Sequence, residues 1–111
     1  MKILLVSDLQ GNLDFLSLKI AQFSKKGTIF DFVLCTGNTL SLSANISDYI
    51  TGLKIFPIPA YFIESGEIAS SLHSLHQNGG DIFHNFTFLG VSGVKNIKGF
   101  KIGYLSGRMN K

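Results

Sequence analysis

Carboxylates, amides and hydroxyls follow three apolar segments of this chain, and their side chains are the candidates for ligand binding or catalysis. They lie in residues 7–12, 35–38 and 64–67. In an open parallel sheet, ligands bind where the carboxyl ends of the strands meet. We therefore expect the three loops to converge on one site, which residues 105–108 could join.

Other chemical motifs are weak or absent in the sequence. There is no P-loop, no G-x-G-x-x-G and no nucleophile elbow, so nucleotide binding or acyl transfer by these devices is not supported. His73 and His76 could form half of a metal site, but surface positions are the commoner outcome for such a pair. Cys35 has no basic neighbour to lower its pKa, which predicts a buried, inert thiol.

The elements that must position these loops follow from periodicity and turn signals. Leu13, Leu16, Ile20 and Phe23 recur at helical spacing between a capping Asn12 and a terminating Gly27. We predict helices at residues 13–26, 43–51 and 66–76 and strands at residues 2–7, 31–36, 61–63, 81–89 and 98–105. The order β-α-β-α-β-α-β-β predicts an α/β fold with a mixed sheet, in which parallel β-α-β units are followed by a hairpin.

Length and composition indicate one intracellular domain. The chain has 111 residues and a single cysteine, which predicts no internal disulfide and fits a reducing compartment. No apolar run approaches the ~20 residues of a membrane span, so no membrane partner is predicted. With 45% hydrophobic and 15% charged residues and a mean hydropathy of +0.29, we expect an apolar face that something else covers.

Positive charge is concentrated toward the C-terminus. Residues 1–81 carry five lysines and seven acids, whereas residues 82–111 carry Lys95, Lys98, Lys101, Arg108 and Lys111 and no acid. Such a tail could meet RNA phosphates or an acidic partner, with Lys95, Lys98 and Lys101 as the contacts. A solvated strand edge protected by lysines is the alternative.

Short motifs run through most of the chain, at residues 2–4, Asp8 with Gly11, 30–38, 49–54, 57–61, 85–90 and 104–107. In these residues the chain resembles the metallophosphoesterases, whose signatures include D-x-H, G-D and G-N-H-D/E. Within that superfamily it is most similar to the N-terminal domain of CwfJ-type splicing factors, relatives of the lariat debranching enzyme. Residues 34–38 and 101–103 also resemble the metallophosphoesterase-like scaffold subunit of retromer.

The resemblance implies a degenerate metal site, because a two-metal phosphoesterase needs a bridging carboxylate and several histidines. Asp8 keeps the first ligand position. Gln10 stands where a histidine is expected, and Asn38 replaces the bridging aspartate. Ser65 falls near the usual asparagine, Ser106 takes the place of a histidine, and Arg108 adds positive charge. We therefore expect no catalytic residue, no metal and no cofactor.

The resemblance further implies a catalytically inactive scaffold of pre-mRNA splicing and lariat-intron turnover, located in the nucleus. Its partners would be spliceosomal proteins and the lariat debranching enzyme. The chain would be a single partial domain, about half of the family's full domain and truncated at its C-terminus. Two alternatives stay open, an active metal-dependent phosphodiesterase with unusual ligands and a retromer-like trafficking scaffold.

Two surface properties are also predicted. If part of the family's fold is absent, the sheet face formed by residues 61–63, 82–89 and 100–105 would be exposed and would favour a homodimer or a partner contact. RNA binding through the basic tail would be weak, sensitive to salt and indifferent to sequence.

Overall fold

The computed structural model describes residues 1–40, 46–66 and 68–106. In chain order the elements are β1 (Ile3–Ser7), α1 (Leu13–Lys25), β2 (Phe32–Thr36), α2 (Ser47–Thr51), β3 (Ala60–Phe62), α3 (Ala69–Leu75), β4 (Gly80–Phe83), β5 (Phe86–Phe88), β6 (Ser92–Ile97) and β7 (Phe100–Leu105). The predicted α/β class, with parallel β-α-β units in a mixed sheet and a hairpin, is confirmed. Its metallophosphoesterase-like character stays a prediction. The first residues of the helix predicted at 43–51 lie outside the described ranges.

The main sheet has five strands in the order β1-β2-β3-β5-β4. Strands β1, β2, β3 and β5 run parallel to one another, and β4 pairs with β5 in the antiparallel sense. In the register of the first three strands, Val6 lies opposite Cys35, and Cys35 lies opposite Phe62. The carboxyl ends of β1, β2 and β3 therefore meet at one edge of the sheet, as the predicted topology requires.

Helix α1 begins at the predicted residue and ends at Lys25, one residue before the predicted end. The Asn12 side chain accepts a hydrogen bond from the Phe15 N–H at 3.3 Å, and Gly27 has φ +89° just beyond the last turn. Such a cap stabilises a helix by about 1 kcal/mol, and a left-handed residue after the helix suits glycine. The face that carries Leu13, Leu16 and Ile20 is buried against the sheet.

The core on the helix side of the sheet is rich in phenylalanine. Phe62, Phe86 and Phe88 are fully buried, and the Phe86 ring lies 4.8 Å from those of both Phe62 and Phe83. Burying one such side chain stabilises a fold by about 1.5–3 kcal/mol. These rings therefore hold β3, β4 and β5 together.

The single strand predicted at residues 81–89 is wrong, because two strands form there. His84 and Asn85 lie between β4 and β5, and Asn85 has φ +68°. Asparagine tolerates this left-handed conformation better than most residues, so it allows the chain to reverse without glycine. The predicted strand at 98–105 is also shorter, because Lys98 and Gly99 both have positive φ and form the turn between β6 and β7.

The prediction of an exposed sheet face is wrong as well. Strands β6 and β7 form a separate two-stranded sheet, and their Ile97 packs with Phe32 and Leu89 on the side of the main sheet away from the helices. Phe62, Phe86 and Phe88 are buried on the helix side. Among residues 61–63, 82–89 and 100–105, the large apolar side chains that stay exposed are Phe100 and Leu105.

No helix in the described part of the chain has both the length and the apolarity to cross a bilayer.

Candidate functional site

The loops after β1, β2 and β3 are joined by main-chain hydrogen bonds. The Gln10 N–H donates to the Asn38 carbonyl at 2.8 Å, and the Ser65 N–H donates to the Gly37 carbonyl at 3.0 Å. The Asn38 N–H donates to Asp8 Oδ1 at 2.8 Å. The structure thus brings Asp8, Gln10, Asn38 and Ser65 to one edge of the sheet. Their roles as degenerate ligands stay a prediction.

The backbone of the first two loops is in a conformation that few residues adopt. Asp8 has φ +52°, Gln10 has φ +55° and Gly37 has φ +75°. A Cβ atom at Gly37 would overlap Asp8 Oδ1, so only glycine allows the carboxylate to approach the second loop. Left-handed residues other than glycine each cost about 1–2 kcal/mol. The Asp8–Asn38 hydrogen bond offsets part of this cost.

Asn38 carries the atom of this site that most needs a partner. Its Oδ1 is buried and accepts no hydrogen bond from any described residue. A Cβ atom at Gly66 would overlap this oxygen, so the two loops approach closely here. A buried acceptor without a donor costs about 1–3 kcal/mol. The close approach of the second and third loops at Asn38 therefore carries this cost.

Glu64 organises the second and third loops, a role that sequence reasoning did not assign to it. Its carboxylate is fully buried, with Oε1 accepting the Leu40 N–H at 2.7 Å and Oε2 accepting the N–H groups of Thr39 at 3.0 Å and Gly66 at 2.9 Å. Main-chain donors of this kind stabilise a buried carboxylate. One sequence feature could have indicated this role, namely an acidic residue directly after a buried apolar strand. Glutamates are usually exposed to solvent, so sequence reasoning did not predict that Glu64 is buried.

Ser106 joins the site through the end of β3. Its Oγ accepts the Glu64 N–H at 2.7 Å and donates to the Glu64 carbonyl at 3.2 Å, while its own N–H donates to the Val91 carbonyl at 2.7 Å. The side chain thus pairs with the main chain beyond β3 as a neighbouring strand would. Arg108, the other position predicted for this region, lies outside the described residues.

These groups do not fit a pair of catalytic metal ions. Among residues 1–40, 46–66 and 68–106, no three His, Cys, Asp or Glu side chains lie together as a metal would require. The Asp8 and Glu64 carboxylates are both engaged by main-chain N–H groups. Gln10 and Asn38 contribute neutral amide groups, which leave two dications without the negative charge that holds them close together.

Cys35 is equally unsuited to nucleophilic chemistry. It is buried in β2, and burial raises the pKa of its thiol to about 12. Because the thiolate is the nucleophile, almost none of the reactive form exists at neutral pH. The predicted inert character of this thiol follows from its position in the core.

The lysines proposed as a basic contact surface differ in their orientation. Lys95 Nζ donates to the Asn78 carbonyl at 3.0 Å and lies 5.9 Å from the centre of the Tyr104 ring. Lys98 Nζ donates to the Asp31 carbonyl at 3.3 Å. Lys101 is exposed on the opposite face of the hairpin from Lys95, since residues paired across the strands share a face and Lys101 pairs with Asn96. These three lysines therefore do not form one continuous patch.

Comparisons with known proteins give relatives along almost the whole chain, although no family model matches it. Human CWF19-like protein 1 is 30% identical over 110 residues, which cover 96% of this chain, and the mouse protein of that name is 31% identical. Zinc finger CCCH domain-containing protein 64 of Arabidopsis thaliana is 31% identical over 124 residues, which cover 98% of this chain. The chain spans about one fifth of the length of these curated relatives.

The relatives agree with part of the predicted resemblance. The chain is similar to a part of the proteins named CWF19-like protein 1, which agrees with the predicted resemblance to CwfJ-type factors. The metallophosphoesterase-like character, the inactivity and the scaffold role stay predictions.

Proposed function

We propose that this chain, which is similar along 96% of its length to about one fifth of CWF19-like protein 1, is a catalytically inactive, metallophosphoesterase-like scaffold domain of a splicing factor. Its process is pre-mRNA splicing and lariat-intron turnover in the nucleus. Its partners are spliceosomal proteins, among which we include the lariat debranching enzyme. The similarity to the CWF19-like proteins is the observation that carries this proposal.

The hydrogen bonds of the polar residues at the sheet edge support the proposal that the domain is catalytically inactive. Asp8 and Glu64 accept main-chain hydrogen bonds that connect the loops, so they stabilise the backbone. Ser106 likewise pairs with the main chain of Glu64. The side chains of Asp8 and Ser106, at two of the expected ligand positions, thus hold the main chain of neighbouring loops together, and we infer that this edge serves as a docking surface.

A hydrolysis assay tests the inactivity. Bis-p-nitrophenyl phosphate and branched RNA are incubated with the chain and Mn²⁺, Zn²⁺ or Fe²⁺, and product formation is compared with protein-free samples. We expect no turnover above background, and the same background for Asp8→Ala. Metal-dependent hydrolysis that Asp8→Ala abolishes would instead establish an active phosphodiesterase.

Co-purification tests the splicing assignment. The tagged chain is recovered from nuclear extract with and without nuclease, and spliceosomal proteins, the lariat debranching enzyme and retromer subunits are quantified. We expect the splicing proteins to be enriched and to persist after nuclease, as protein-mediated contacts require. Enrichment of retromer subunits without splicing proteins would replace this proposal with the trafficking alternative.

A weak affinity for RNA accompanies the scaffold role. Of the three lysines predicted as RNA or partner contacts, Lys98 and Lys101 are exposed and Lys95 is half-buried, and Lys95 and Lys101 lie on opposite faces of the hairpin. Few phosphates can then be neutralised at once, and binding that rests on phosphate neutralisation falls steeply with salt. We expect fluorescence anisotropy to detect binding at low salt and none at physiological salt, for linear and branched RNA alike.

A further inference from the structure

The outer edge of β1 is open in the described structure. Strand β1 is the terminal strand of the main sheet. The Lys2 carbonyl accepts the Asp31 N–H, and the Asp8 N–H donates to the Thr36 carbonyl, so the even-numbered residues of this strand bond to β2. Because successive residues of a strand point their main-chain groups to opposite sides, Ile3, Leu5 and Ser7 direct theirs to the open edge.

An apolar groove runs along this edge on the helix side. It has a volume of about 260 Å³ and is lined by Leu4, Val6, Leu9, Phe15, Leu16, Lys19 and Phe23. On the opposite face of the same strand, Leu5 is 72% exposed. Apolar surface therefore lies on both sides of a row of free main-chain donors and acceptors, which is the arrangement that receives an added strand.

Unpaired positive charge borders the groove. Lys19 lies 5.4 Å from the centre of the Phe15 ring and lines the groove. Lys26, the residue that follows α1, lines an adjoining pocket together with Lys19 and Phe23. The salt bridges of the described residues all involve Lys54, which takes Asp14 and Asp48. A second copy paired through the same edge would bring like charges of the two α1 helices together. The chemistry therefore favours an acidic occupant over self-association.

We propose that the open edge of β1 binds an extended segment of a partner protein that has apolar residues at alternate positions and acidic residues at its ends. Main-chain hydrogen bonds to Ile3, Leu5 and Ser7 add this segment to the sheet as a strand. Its apolar side chains fill the groove, and its acidic ends face Lys19 and Lys26. This surface lies on the strand edge and does not depend on the splicing assignment.

A synthetic peptide provides the probe. The capped sequence Glu-Glu-Val-Thr-Val-Thr-Val-Glu-Glu is titrated into the 111-residue chain, and binding is measured by calorimetry together with amide hydrogen exchange. We expect saturable binding and at least tenfold slower exchange at Ile3, Leu5 and Ser7. In an added strand, the main-chain N–H groups of either the valines or the threonines face β1. N-methylation of that set should abolish binding, and N-methylation of the other set should leave binding unchanged.

Charge-reversal variants of exposed lysines test whether the acidic residues of the peptide contribute to binding, and we expect them to leave the fold intact. Lys19→Glu should weaken the acidic peptide about two- to fivefold and strengthen a peptide with lysines in place of the glutamates, as expected for an exposed ion pair. Lys25→Glu, on another side of α1, is the matched control and should change neither affinity. Leu5→Lys, at an exposed position, should remove binding of both peptides while the far-UV circular dichroism stays unchanged.

Three results would overturn the proposal. The first is the absence of binding at millimolar peptide. The second is binding that survives N-methylation of both sets, which would make the contact non-specific and apolar. The third is a dimer of the peptide-free chain with the Ile3, Leu5 and Ser7 amides already protected, which would assign the edge to a second copy.

Discussion

Glu64→Leu removes the acceptor of three buried main-chain N–H groups, and we expect it to destabilise the fold severely. Thr39, Leu40 and Gly66 donate these bonds at 2.7–3.0 Å. An unsatisfied buried donor costs about 1–3 kcal/mol, and removing a buried charge offsets part of this loss. We expect a net loss of about 3–6 kcal/mol, against a total stability of about 5–15 kcal/mol for a domain of this kind.

Glu64→Gln separates the role of hydrogen bonding from that of side-chain volume. Thr39 and Gly66 both donate to Oε2, so one amide oxygen can keep those two bonds. The amide NH₂ would then face the Leu40 N–H, and two donors repel. We expect a loss of about 2–3 kcal/mol for this single mismatch, which places the glutamine variant between the wild type and the leucine variant.

Urea unfolding followed by far-UV circular dichroism measures both losses. Asp81→Asn is the matched control, because the Asp81 carboxylate is exposed and accepts a bond from the Thr87 hydroxyl. We expect this control to cost less than about 1 kcal/mol. If Glu64→Leu is too unstable to fold, Glu64→Gln still reports the effect. A loss below about 1 kcal/mol for Glu64→Leu at an unchanged m value would refute the assignment of Glu64 as the anchor of these loops.

Three further perturbations test other parts of the structure. The hydrogen bond from the Tyr49 hydroxyl, at 2.6 Å, is the main cause that lowers the pKa of Asp14. The stability that this bond adds is therefore present above about pH 4 and lost as the pH falls through the lowered pKa. Tyr49→Phe should make the free energy of unfolding less dependent on pH in this acidic range. An unchanged pH dependence would contradict this. Because burial raises the pKa of Cys35 to about 12, native protein at pH 8 should react with a disulfide reagent at least a hundredfold more slowly than urea-unfolded protein, and comparable rates would show that the thiol is accessible. Lys101→Ala should reduce the salt slope of RNA binding by about one and Lys25→Ala, which removes an equal charge from α1, should not; equal effects of the two variants would mean that RNA contacts the protein through net charge alone.

Local signals and topology made the first half of the fold predictable. The apolar run of β1, the capped periodicity of α1 and the apolar run of β2 are each specified by neighbouring residues. Once these strands are parallel, Asp8 and Asn38 must share an edge, because the right-handed crossover leaves few other arrangements. Helix–strand alternation therefore predicted the meeting of the loops without any knowledge of side-chain contacts.

The parts that sequence reasoning missed depend on long-range packing. The reversal at Asn85 has no glycine to mark it, and the apolar residues from Ile82 to Leu89 read as one strand when the bulge in the pairing of β4 and β5 is unknown. The burial of Glu64 depends on donors 24 and 25 residues away. The orientation of Lys95 depends on a carbonyl 17 residues away, which periodicity within β6 does not reveal.

The position of the β6–β7 hairpin in chain order has a consequence for biosynthesis. Phe32, Leu89 and the rest of the second sheet face are translated before the hairpin that covers them. At about 5–20 residues per second, the ribosome needs roughly one to three seconds to add the stretch from Leu89 to Ser106. Every new chain thus passes through an interval in which a completed sheet face is uncovered. Ser106, whose hydroxyl ties this stretch to Glu64, is the last residue of the stretch to be added. We expect chaperone association with nascent chains to peak in this interval and to end when residue 106 becomes available.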